Sequence, residues 1–123
     1  MRYGARMAEN REKSKSKQFW LSYDLGIDGD YDNLYKWLDE IGARECGDGL
    51  CSFKLDVSDE EPAGAVLRAI KNRKVKLRSK DRLYLIWRTR EKLVSGKFIH
   101  GSRRNGPWTG YAVTDADVTE EEG

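Results

Sequence analysis

Residues 19–25, FWLSYDL, leave the chain little choice of local structure. Phe19, Leu21, Tyr23 and Leu25 alternate with Trp20, Ser22 and Asp24, the period of two expected of a strand with one buried face. Asp24 falls on the other face, at the strand's C-terminal end. A carboxylate there, beside a loop carrying Asp28, Asp30 and Asp32, could hold a divalent cation such as Mg²⁺ or Mn²⁺. As an EF-hand the loop fails, because Asn33 stands where glycine is needed and Asp39 where glutamate is needed. Aspartates ahead of a helix also have an ordinary use, as caps.

The rest of the chain reads as cover for that strand. Gly26 and Gly29 interrupt regular structure, and Asp30 or Asp32 supplies an N-cap with its charge at the helix's positive end. Tyr31, Leu34, Tyr35, Leu38 and Ile41 recur at helical spacing, with Trp37 at the rim of the stripe and Gly42 as the stop. Residues 43–46 are a short strand, 47–49 a Gly-Asp-Gly turn and 50–57 a second strand, whose Cys51, Phe53, Leu55 and Val57 face inward. Ser58 and Glu61 form a capping box, Pro62 suits a first turn, and Ala63, Val66, Leu67 and Ile70 make a second helical stripe. Residues 75–78 are either an edge strand or an extended connection. LYLIWR, residues 83–88, is apolar on both faces and reads as an inner strand, and residues 97–100 as a further one.

This order implies an α+β fold, a ferredoxin-like βαββαβ sandwich with a C-terminal strand or loop extension. One domain spans residues 18–113, after a disordered basic arm (1–17) and before a disordered acidic tail (114–123). The helix-free face would display Trp20, Ser22, Asp24, Ser52, Lys54, Asp56 and one side of LYLIWR. That is apolar enough at one end to need cover, from the segment carrying Phe98, Ile99 and Trp108 or from a second copy in a homodimer.

The formal net charge of +2 conceals segregation. Residues 18–67 carry 3 basic and 12 acidic groups, and residues 68–104 carry 14 basic and 2 acidic. The basic block could meet phosphate or be matched by the acidic block within the fold. No run is long and apolar enough to span a bilayer, and the basic start lacks the apolar core of a signal peptide, so the expectation is a cytoplasmic protein without a membrane partner. Cys46 and Cys51 bracket a turn and could approach each other. As zinc ligands they need two further donors, and the only histidine, His100, is distant in sequence.

The residues YDL at 23–25, DYDNLYKWLDEIGA, the GDG hairpin and KDRLYLI at 80–86 resemble the SinR-like proteins and their relatives in the CRISPR-associated adaptation family, and more distantly the toxin VapD. The resemblance covers residues 18–88 and implies a ferredoxin-like fold in a small dimeric subunit that binds duplex DNA or other proteins. It also implies, for some members, a metal-dependent nuclease whose strand-end aspartate would here be Asp24. No general base is evident.

The sequence thus points to a nucleic-acid-associated protein, binding DNA or RNA. Its phosphate contacts would be Arg73, Lys74, Lys76, Arg78, Lys80, Arg88, Arg90, Arg103 and Arg104, with Trp108 and Tyr111 placed to stack. The alternative is a non-catalytic interaction module, an inhibitor or adaptor, presenting Asp28, Asp30, Asp32, Asp39, Glu40, Glu45 and Asp48 to a protein partner. An RNA-recognition motif shares the topology, but LCSFKLDV lacks its glycine and aromatic spacing.

Overall fold

The computed structural model describes residues 15–58 and 60–112. Strand β1 (Lys15–Asp24) is the middle of a five-stranded antiparallel sheet. It pairs on one side with β3 (Leu50–Val57), placing Phe19 opposite Phe53. On the other side lies β4 (Arg82–Arg88), with Phe19 opposite Trp87. The short β2 (Arg44–Gly47) flanks β3, and β5 (Val94–His100) flanks β4, so the order is β2-β3-β1-β4-β5.

Helices α1 (Tyr31–Glu40) and α2 (Pro62–Asn72) bury their stripes in one core with Phe19, Leu21, Phe53, Leu83 and Leu85, so both lie on the same face of the sheet. Phe19 stacks on Phe53 at 5.6 Å, and Trp37 meets Phe53 edge-on at 5.4 Å. Burial of this kind is the dominant favourable term, about 1.5–3 kcal/mol for each large apolar side chain. The stripe of α1 is rotated from the expected one: Trp37 is buried and Tyr35 is half exposed, because the indole fills the space above Phe53.

The expected ferredoxin-like βαββαβ sandwich is corrected here. Residues 94–100 are a full fifth strand, paired along β4 from Leu83 opposite His100 to Arg88 opposite Val94. The element order is therefore βαββαββ, and β4 is an interior strand with β2 and β5 at the edges. The cause lies in β4, whose Tyr84 and Ile86 make its second face apolar, and in the tight return at residues 89–93, closed by the Thr89 N–H donating to the Leu93 carbonyl at 2.7 Å.

Two local expectations also change, and one open alternative is resolved. The capping box does not form: Ser58 Oγ accepts from the Glu60 N–H, and the cap residue Glu61 makes no side-chain cap bond. Residues 75–78 are a connection, not an edge strand. β1 begins at Lys15, so the last three residues of the expected arm are strand; residues 1–14 and the expected tail at 114–123 lie outside the described residues. Among the described residues, no helix is long and apolar enough to cross a membrane.

Candidate functional site

Because Phe19, Leu21 and Leu25 point into the core, alternation turns Gln18, Trp20, Ser22 and Asp24 onto the helix-free face. The register then builds rows across the sheet. Arg44, Ser52, Trp20, Ile86 and Gly96 form one, Ser22, Tyr84 and Phe98 the next, and Asp24 with Arg82 a third. Tyr84 and Phe98 pack edge to face at 4.8 Å. Gly96 makes room for this pair, since a Cβ there would lie 2.7 Å from the Tyr84 hydroxyl.

The chain leaves β5 through Gly101, at φ +79°, where a Cβ would press on the Asp81 carbonyl oxygen. That turn brings Arg103 back across the face, its guanidinium carbon 5.8 Å from the Tyr84 ring centroid and 5.4 Å from that of Phe98. Arg104 is anchored beside it, donating to the Lys80 carbonyl at 2.8 Å. Two shallow depressions result. One, about 570 Å³, is lined by Trp20, Arg44, Ser52 and Lys54; the other, about 300 Å³, by Ser22, Asp24, Arg82, Tyr84, Phe98 and Arg103.

The residues singled out by sequence are dispersed. Asp24 lines the smaller depression, with Oδ2 accepting from Arg82 Nη2 at 3.3 Å and Oδ1 from the Gly26 N–H at 3.3 Å. A dication at that carboxylate would face the Arg82 guanidinium. Among the described residues, no group of three or more His, Cys, Asp or Glu side chains is gathered to hold a metal. Asp24, Asp28, Asp30 and Asp32 are thus not gathered into such a group among the described residues.

The basic block is not one patch. Its first part lies between α2 and the start of β4, whereas Arg88 is the last residue of that seven-residue strand, about 20 Å away, and Arg90 follows it. Arg73 pairs with Glu40 at 2.6 Å. Lys74 and Lys76 are exposed, but their backbones are tied to α1: the Asn33 amide donates to the Lys74 carbonyl at 3.5 Å and the Lys76 N–H to Asp30 Oδ2 at 2.8 Å. Arg78 is partly buried, donating to the Leu25 carbonyl and pairing with Asp81 at 3.2 Å. Lys80, Arg88 and Arg90 are exposed, and Trp108 stands out on the 106–110 turn. Of the eleven binding candidates, only Arg88 and Arg103 belong to the helix-free face by register or contact.

The acidic residues are partly absorbed as well. Asp30 caps α1, and the hydrogen bond from the Lys76 N–H, followed by that from the Asn33 side chain, holds its carboxyl below the usual value. Burial pushes the Cys51 thiol up to about 11, and Cys46 is exposed; both are free. Burial, reinforced by Tyr35, raises the Tyr23 phenol to about 12.

Sequence reasoning missed Arg44, Arg82, Tyr84 and Phe98 as site residues. Trp20 and Lys54 were assigned to the open face, but as a surface needing cover. The alternation of RLYLIWR carried the signal for Arg82 and Tyr84; the placement of Phe98 depended on a fifth strand whose length its glycine and serine concealed. Compared with protein-family models, characterised proteins and solved structures, the chain matches none.

Proposed function

We propose that this protein binds nucleic acid on the helix-free face of its sheet. The observation that carries the reading is the group of three aromatic rings, Trp20, Tyr84 and Phe98, set in adjacent cross-strand rows with Arg103 across two of them. Aromatic faces among cations suit bases and phosphates together, and stacking is worth about 1–3 kcal/mol per base. Arg44, Lys54 and Arg88 ring the face and supply phosphate contacts without reading sequence. The resemblance of residues 18–88 to the SinR-like and CRISPR-associated adaptation proteins agrees with such a partner. Asp24, facing Arg82, supports a role in binding better than metal-assisted hydrolysis within one copy of the chain.

The test is a salt titration of the full chain against labelled single- and double-stranded DNA and RNA. Affinity should fall steeply with salt. The triple variant Arg44→Ala, Lys54→Ala, Arg88→Ala should weaken binding at least about tenfold and lower the salt slope by about 2–3. Absence of binding at low salt, or an unchanged slope in the triple variant, overturns the proposal.

A further inference from the structure

We infer that the depression framed by Asp24, Arg82, Tyr84, Phe98 and Arg103 takes one unstacked guanine of a single strand. The inference rests on the nucleic-acid reading above and adds a base preference to it. A base needs a flat contact: Tyr84 and Phe98 form one wall of the depression, and the Arg103 guanidinium, packed on the same two rings, presents a planar cation on which a base can stack. The depression, about 300 Å³, opens at the face and has room for one base.

Selectivity comes from Asp24. Its side chain is 52% exposed, and its two hydrogen bonds are both long, at 3.3 Å. An ionised carboxylate has about four acceptor positions and no donor, so it can take a further pair of N–H groups. Guanine alone presents two adjacent donors, N1–H and the N2 amino group, that match two carboxylate oxygens. Uracil and thymine place carbonyl acceptors on both sides of N3–H, which the carboxylate repels; adenine and cytosine set one amino donor beside a bare ring nitrogen. Arg82 orients the carboxylate, and its Nε is buried with no hydrogen-bond partner among the described residues. A single strand is favoured over a free nucleotide because Arg44, Lys54 and Arg88 lie outside this depression, where flanking phosphates would reach them.

The experiment measures anisotropy of labelled uridine decamers carrying a single central G, A, C or U, with the corresponding DNA oligomers and free GMP as competitor. The G decamer should bind about tenfold more tightly than the A decamer, within the range expected for one bidentate contact. Asp24→Asn replaces one acceptor by a donor and should bring the G decamer down to the A level; Tyr84→Leu should weaken all four. Circular dichroism establishes that each variant is folded. Equal, salt-sensitive binding of all four decamers overturns the guanine assignment and leaves the phosphate reading standing, whereas no binding of any oligomer overturns both. Displacement by GMP as efficient as by the G decamer overturns the single-strand part.

Discussion

Among the described residues, Asp81 is the one charged side chain with no exposure, and its partners explain why it is tolerated. Its Oδ2 accepts from the Arg78 N–H at 2.7 Å, and its Oδ1 from Arg78 Nε and Nη2 at 3.3 and 3.2 Å. The same arginine donates to the Leu25 carbonyl, and its own carbonyl accepts from His100 Nε2 at 2.7 Å. One ion pair therefore joins the loop after β1, the entry to β4 and the end of β5. Asp81→Ala would leave an amide and part of a guanidinium without partners. Since Arg78 is one third exposed, the expected loss is about 3 kcal/mol, the low end of the range for breaking a buried pair, read from urea denaturation. A loss under about 1 kcal/mol would show that solvent replaces the carboxylate and that the clamp does not join the three segments.

At the scale of elements, the interface depends on β5 lying flat along β4, and Gly96 is where that is most sensitive. A methyl group there meets the end of the Tyr84 ring, which can swing away, and the backbone is not in the left-handed region. Gly96→Ala should thus alter stability by less than about 1 kcal/mol yet displace Tyr84 from Phe98, weakening oligonucleotide binding about fivefold, as partial loss of one stacking contact. Wild-type affinity in a folded variant would remove Tyr84 from the platform. This same strand marks how far the sequence could be read. β1, α1, β3 and α2 were legible because their apolar residues keep one period, and β4 because it is apolar throughout. In β5, Val94 and Phe98 sit on one face with Gly96 between them, and a glycine at a close approach reads locally as a break. The inner position of β4 was legible, but reading only residues 97–100 as strand left Phe98 as cover. The basic block misled for a related reason: the basic residues before β4 and those at its far end lie far apart in space, whereas Tyr84 and Phe98, fourteen positions apart in the chain, touch.

At the scale of the whole molecule, the three shifted groups among the described residues shape the pH range of stability, and the sign of each follows from its surroundings. Asp30 has a folded pKa below its ordinary 3.8, through the hydrogen bond from the Lys76 N–H and then those from Asn33, so it contributes stability above 3.8 that is lost as pH falls through the folded value. Cys51 is raised by burial from 9.0 to about 11, so its contribution is complete below pH 9 and lost between 9 and 11. Tyr23, raised by burial from 10.0 to about 12, contributes over the overlapping interval between 10 and 12. Stability should therefore be level from about pH 4 to 9 and decline on both sides, as measured by urea denaturation across pH. The two limbs have different owners, which makes them separable. Asp30→Asn should flatten the acid limb and lower the plateau, because it loses an anionic acceptor that ties α1 to residue 76. Cys51→Ala should flatten the pH 9–11 segment and leave the acid limb in place. In the native protein only the exposed Cys46 should react quickly with a thiol reagent, with Cys51 following on unfolding. An acid limb of wild-type steepness in Asp30→Asn would mean that other carboxylates control acid unfolding. An alkaline limb unchanged in Cys51→Ala would assign the loss above pH 9 to Tyr23 or to other groups rather than to the Cys51 thiol.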